Sequence, residues 1–158
     1  MKKITLVFLL LAVVIALPLY AQLPGIPEID QEAPLDTSVT ISRETLLAAF
    51  GQINEENIPT TRILEGGEFN VNIRHIENVT LENMRMLTHL DTIDVWIVQE
   101  GSGILNIGGE LIDGVLRGGK EQFIEAGDIV YIPAGLSHGV RESALITWFN
   151  IRFPEHRN

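Results

Sequence analysis

Two histidines and one aspartate stand where short apolar strands are predicted to begin or end. His89 follows "MRMLT", Asp94 opens "DVWIVQ" five residues later, and His138 ends "GDIVYIPAGLSH". Imidazoles and carboxylates bind transition metals and also act as general acids and bases. Because side chains alternate along a strand, Asp94 shares a face with Trp96 and Val98. A carboxylate on such an apolar face is costly unless it is paired or binds a cation.

The other titratable residues nearby fit structural roles. Asp91 is an alternative carboxylate, but it falls in the connecting turn, where a solvated side chain is ordinary. His75 lies on the apolar side of "EFNVNIRHI", which indicates a hydrogen-bonded, partly buried histidine. His156 lies in the polar tail "PEHRN" and is interpreted as solvated.

The elements that must position these residues are short strands, beginning near residue 60. The segments "EFNVNIRHI", "MRMLTH", "DVWIVQ", "GILNIG", "QFIEA", "IVYIP", "GVRE" and "ALITWFNIRF" are separated by "EGSG", "GGE", "RGG", "AGD" and "PAG". Short strands with glycine-containing turns at nearly regular spacing predict an all-β sandwich or barrel. Upstream, "SRETLLAAFGQI" predicts one short helix with Ser42 as its N-cap and a weak point at Gly51. Nucleotide-binding glycine motifs and a G-x-S-x-G elbow are absent from the sequence.

The stretch from Gly127 to His138 resembles the second conserved motif of the cupins, G-x5-P-x-G-x2-H. Its matching residues are Gly127, Pro133, Gly135 and His138, with nothing inserted. Pro133 suits the end of a strand because it cannot donate to the ladder, and Gly135 permits a tight reversal before the histidine.

The first cupin motif, H-x-H-x4-E-x6-G, is matched less completely. His89 stands at the second histidine and Gly101 at the glycine, whereas Leu87 replaces the first histidine and Asp94 replaces the glutamate. The resemblance covers about residues 60–153 and is closest to small, secreted, single-domain bacterial cupins. It implies a double-stranded β-helix, the cupin jelly-roll barrel, with one short N-terminal helix added.

The resemblance also implies a ligand set for a divalent transition metal. His89, Asp94 and His138 occupy three of the four cupin ligand positions. Two imidazoles and one carboxylate suit iron(II) or catalytic zinc, and manganese or nickel are compatible. Leu87 removes one imidazole, so the alternative is a degenerate cupin whose two histidines hydrogen-bond within a polar pocket.

Three further residues are assigned to the pocket. Arg85 shares strand parity with Leu87 and His89, so it faces either the barrel interior, where it would meet an anionic substrate, or solvent at a strand end. Leu87 itself falls at the ligand position. Trp96 either forms an aromatic wall beside Asp94 or fills the core.

Three classes of function follow from this combination. The first is a metal-dependent enzyme acting on a small organic molecule, with dioxygenase or isomerase/lyase chemistry, for which Glu142 or Asp91 could serve as base. The second is a non-catalytic cupin that binds a small ligand. The third is an assembly protein, since cupins commonly form homodimers. The formal charge of −10 disfavours nucleic acid and anionic membrane partners.

The N-terminal segment predicts export. Lys2 and Lys3 precede the apolar run "ITLVFLLLAVVIAL", and "PLYAQ" follows it, which is typical of a signal peptide at residues 1–21 rather than a membrane anchor. A secreted or periplasmic protein, without membrane contact after cleavage, is expected. The remaining predicted divisions are a proline-rich arm (22–40), a helical segment (41–59), the barrel (60–154) and a polar tail (155–158).

Overall fold

The helix and strands of this computed structural model are described for residue 33, residues 36–66 and residues 69–155. The predicted signal peptide, most of the arm and His156 lie outside these residues. The elements are α1 (Arg43–Glu56), β1 (Thr60–Gly66), β2 (Phe69–Val79), β3 (Thr92–Ile112), β4 (Val115–Glu125), β5 (Ile129–Ile132) and β6 (His138–Pro154). The predicted all-β class with one N-terminal helix is confirmed. In the described part of the chain, no helix combines the length and apolar character needed to span a membrane.

The strands pair antiparallel in the order β1-β2-β6-β3-β4, and β5 also pairs with β3. β3 and β6 pair along most of their lengths. In their register Asp94 lies opposite Arg152, and Trp96 lies opposite Asn150. β2 pairs with the other edge of β6. This register places the polar end of β6 directly against the start of β3.

Several segments predicted as separate strands are continuous. "DVWIVQ" and "GILNIG" both belong to β3, and the "EGSG" between them lies inside the strand, where the register with β6 shifts. Gly101 (φ 73°) and Gly108 (φ 80°) adopt left-handed backbone conformations. Such residues bend a strand without ending its hydrogen bonding. The predicted "RGG" turn likewise lies inside β4. The prediction that these glycines end strands was therefore wrong.

The segment "MRMLTH" is a further correction, because it forms no strand. Within it only Leu87 makes a bridge, to His138, with backbone N···O distances of 2.8 and 2.9 Å. This single bridge anchors the loop beside the start of β6. The other backbone groups of the loop take no part in strand pairing.

The helix begins as predicted and ends later than predicted. The Ser42 side chain caps it by accepting a hydrogen bond from the Thr45 backbone N–H at 3.1 Å. The helix continues through Gly51 and terminates at Asn57, which has φ 49°. A cluster of buried apolar side chains joins α1 to β1 and β2: Ala49, Ile53, Ile63 and Ile73. This packing outweighs the low helix propensity of one glycine.

We expect Gly101→Ala to destabilise the fold far more than Gly114→Ala. Both glycines have positive φ, but a Cβ at Gly101 would overlap the Leu145 carbonyl oxygen, whereas a Cβ at Gly114 meets nothing within 4 Å. The left-handed conformation alone costs about 1–2 kcal/mol, and the clash at Gly101 should raise the loss to about 3 kcal/mol or more. Urea denaturation measures both losses, and equal values would contradict this account of β3.

Candidate metal centre

Asp94 is the buried centre of the site. Its side chain is 2% exposed, and its backbone lies between β6 and β5, opposite Arg152 and Ile132. A carboxylate so enclosed requires compensating positive charge or donors. Three neighbouring side chains supply polar contacts.

Arg152 makes the most extensive contacts with Asp94. Its Nε donates to Asp94 Oδ1 at 2.7 Å and its Nη2 donates to Oδ2 at 3.1 Å. The same Nη2 lies 2.8 Å from His89 Nε2. Because a guanidinium only donates, His89 Nε2 must be the acceptor and its proton must reside on Nδ1. Arg152 is therefore a fixed cation within the predicted ligand set.

Sequence reasoning missed Arg152. Alternation along "TWFNIR" places Trp148, Asn150 and Arg152 on one face of the last strand. That signal could have identified an inward arginine. Its partner depends on the register of β6 against β3, which the sequence alone does not supply.

His138 approaches Asp94 from the other side. Its Nδ1 lies 3.0 Å from the Leu136 carbonyl oxygen, and since a carbonyl only accepts, Nδ1 carries a proton. Its Nε2 lies 3.4 Å from Asp94 Oδ2 and is a buried nitrogen without a hydrogen-bond partner in the described structure. A proton on this Nε2 would donate to the carboxylate and stabilise its ionised form, and a cation between the two atoms would satisfy both of them.

His89 completes the cluster from the loop before β3. Its Nε2 lies 3.7 Å from Asp94 Oδ2, and its carbonyl oxygen accepts a hydrogen bond from the Gly135 N–H at 2.7 Å. This bond connects the loop to the turn that precedes His138. The two cupin-like motifs are thus held together by backbone contacts as well as by their side chains.

The protonation of these groups follows from their surroundings. Burial favours a protonated Asp94, but the His138 imidazole and the Arg152 guanidinium outweigh it and hold the pKa of Asp94 well below its usual range. Burial, reinforced by the Arg152 charge, lowers the pKa of His89. Both effects favour an ionised aspartate and a neutral His89 near neutral pH, which are the forms that bind metals.

The residues fit a metal. One ligand atom each from His89, Asp94 and His138 lies within 4.8 Å of the others. The backbone hydrogen bond to His138 Nδ1 orients that ring in the way typical of metal-ligating histidines. Arg152 contacts two of these three residues, so a metal there requires the guanidinium to withdraw.

A cavity of about 400 Å³ adjoins this cluster. It brings together the three predicted pocket residues, Arg85, Leu87 and Trp96, with Asp94 and His138. Leu87 is 42% exposed, which places it at the rim of the cavity, and its hydrocarbon side chain provides no ligand atom.

Three other predicted residues lie apart from the cluster. Asp91 and Glu142 are exposed, and neither lines the cavity; Glu142 instead pairs with Arg141 at 3.0 Å. His75 is hydrogen-bonded as predicted, with Nδ1 2.8 Å from Thr147 Oγ1. It is fully rather than partly buried.

No family model and no curated protein matches the chain, but solved structures do. Protein BH2720 from Bacillus halodurans is 13% identical, covers 80% of this chain and 89% of its own, and gives a TM-score of 0.53. Protein NMB1881 from Neisseria meningitidis is 19% identical over 73% of this chain and 99% of its own, with a TM-score of 0.52.

A third structure, from Methanocaldococcus jannaschii, is described as an RmlC-like cupin family protein with a double-stranded β-helix fold. It is 16% identical over 55% of this chain and 71% of its own, with a TM-score of 0.41. The chain has the predicted cupin fold, a jelly-roll of antiparallel strands. The likeness to the first two structures, at 13% and 19% identity, defines the fold and leaves the function to the site.

We expect Arg152→Met to destabilise the metal-free protein by about 3 kcal/mol, because it leaves a buried carboxylate without its cation. Arg62→Met is the matched control, since Arg62 pairs with Glu65 at the surface, where both side chains are more than 40% exposed. Loss of such a surface pair costs about 0–1 kcal/mol. Urea denaturation in the presence of chelator measures the two losses, and equal values would contradict a stabilising role for Arg152.

We also expect acid to destabilise the metal-free protein. Folding lowers the pKa of His89 and of Asp94, so the unfolded chain binds more protons and is favoured as pH falls. The loss of stability due to His89 begins as the pH falls below the pKa of histidine in the unfolded chain, about 6.5. The loss due to Asp94 begins at about pH 4. The midpoint temperature of thermal unfolding should decrease as the pH is lowered from about 7.5 to about 5.5. The decrease should be smaller in His89→Gln. Identical slopes in the two proteins would refute the assignment to His89.

Proposed function

We propose that this chain is a secreted cupin-domain protein that binds one divalent transition metal through His89, Asp94 and His138, and acts on or binds a small organic molecule in the adjoining cavity. The convergence of three ligand atoms within 4.8 Å supports the metal. The cavity of about 400 Å³ beside them supports the small molecule. Export rests on the signal-peptide pattern of residues 1–21.

A bound iron, zinc, manganese or nickel ion would supply Lewis-acid chemistry or, for iron, oxygen activation, as in isomerase/lyase or dioxygenase reactions. The protein's own residues have separable roles. Asp94 and the two histidines would hold the ion, and the wall beside Asp94 that includes Trp96 would exclude water from it. His138 is oriented by its hydrogen bond to the Leu136 carbonyl.

A second function has direct support from Arg152. Its guanidinium contacts Asp94 and His89, and Leu87 stands where cupins place a histidine. In this alternative the chain supplies its own cation, the metal site is degenerate, and the cavity binds a small ligand without catalysis.

Metal analysis separates the two candidates. We expect chelator-free protein, reconstituted with iron(II), zinc, manganese or nickel, to retain close to one equivalent of at least one of them. His138→Gln should retain less than about a tenth of an equivalent, because it removes one of the two ligands that are fully buried. His75→Gln is the matched control, since it alters a buried histidine outside the cluster. Circular dichroism establishes that each variant is folded.

The outcomes are distinct. In one outcome, wild-type protein retains less than about a tenth of an equivalent of metal, whereas Arg152→Met binds metal. This result would establish the Arg152 guanidinium as the cation that occupies the site. Failure of both proteins to bind metal would overturn the metal proposal. Unchanged metal content in folded His138→Gln would refute the ligand assignment.

A further inference from the structure

The cavity has a charge opposite to that of the chain as a whole. The chain carries a formal charge of −10, yet three arginines and two carboxylates line the cavity: Arg74, Arg85, Arg152, Glu77 and Asp94. Counted formally, with its one histidine (His138) taken as uncharged, the lining has one excess positive charge. A positive recess in an acidic protein concentrates small anions.

Two of the three arginines have no counterion among the described residues. Arg152 is bound to Asp94, whereas neither Arg74 nor Arg85 forms a salt bridge within the described part of the chain. Arg74 donates from Nη1 to the Thr60 hydroxyl, a neutral acceptor. Glu77 is already close to His75, at 3.2 Å. The remaining donors of Arg74, which is partly buried, and those of Arg85, which is exposed at the cavity, are therefore left for an external acceptor.

The arginines lie close enough to influence one another. Burial and the nearby charges of Arg152 and Arg85 lower the pKa of Arg74. Like charges held together in a recess are unfavourable without an anion, and guanidinium groups bind carboxylates with two parallel hydrogen bonds.

Two tryptophans give the cavity an apolar wall beside its charged arginines. Trp96 and Trp148 both line the cavity, with ring centroids 4.6 Å apart and planes inclined at 32°. Each indole Nε1 is buried without a hydrogen-bond partner in the described structure. The Oδ1 of Asn150, which lies on β6 opposite Trp96, is also buried without a hydrogen-bond partner in the described structure. An apolar ligand that carries a polar substituent could pack against the indole rings and form hydrogen bonds with these unpartnered atoms.

We propose that the cavity binds a small organic monocarboxylate, with its carboxylate held by Arg74 and Arg85 and its apolar or unsaturated part against Trp96 and Trp148. This inference deepens the proposed function, because it names the class of molecule held beside the His89–Asp94–His138 cluster. It does not require that the cluster hold a metal. One excess positive charge matches a monocarboxylate better than a doubly charged phosphate.

Intrinsic fluorescence gives a direct assay, because the chain's two tryptophans both line the cavity. Benzoate and hexanoate are titrated against benzamide and hexanamide, which have similar shapes but no charge. We expect a saturable change with at least one acid, and at least about tenfold weaker binding of its amide. Arg74→Gln and Arg85→Gln should each weaken binding of the acid by about tenfold. Arg117→Gln, an exposed arginine of β4 that does not line the cavity, is the matched control and should change nothing.

Several results would overturn the inference: no binding of either acid, equal binding of acids and amides, unchanged affinity in both Arg74→Gln and Arg85→Gln, or tighter binding of inorganic phosphate. The titrations are run on chelator-treated and on zinc-treated protein. Carboxylate binding in protein that takes up no metal would support this inference while the metal proposal fails. Metal uptake without preference for acids would overturn this inference alone.

Discussion

Burial of the Asp94 carboxylate is the constraint on which the centre of this molecule depends. The side chain is 2% exposed and ionised, because the neighbouring His138 and Arg152 keep its pKa low despite its burial. An ion in that position needs a cation or several donors. Arg152 on β6, His138 at the start of β6 and His89 in the preceding loop all approach it. The pairing of β3 with β6 and the bridge at Leu87 make these approaches compatible.

The same arrangement explains the character of the cavity. Arg152 neutralises Asp94, so the other two arginines have no acidic partner within the described residues. The buried tryptophans on the adjacent strands provide apolar surface and unused N–H donors. A polar cluster, a positive recess and an aromatic wall are therefore consecutive parts of one surface. Such a combination is typical of sites that orient a small molecule by its charged end.

Much of the architecture could be predicted from local patterns. Alternating apolar residues indicated strands, and the spacing from Gly127 to His138 indicated a cupin barrel. Errors arose where glycine was taken to end a strand. Gly101 and Gly108 instead bend β3, because cross-strand hydrogen bonding to β4 and β6 continues around them. The helix also continues past the weak point predicted at Gly51, since packing of Ala49 and Ile53 holds it. In each case long-range contacts outweighed a local preference.

The sequence by itself determined the fold class, the cupin-like motif and the identity of three residues that meet at the site, because their types and spacing are local properties. Their meeting point was decided by tertiary structure. The register of β6 against β3 sets Arg152 opposite Asp94, and the pairing of β2 with β6 brings Arg74 into the same cavity. Arg74 and Arg152, the two of these residues that lie farthest apart in the sequence, are separated by 78 positions. Strand register over such distances depends on the sum of core packing contacts, which no short segment contains.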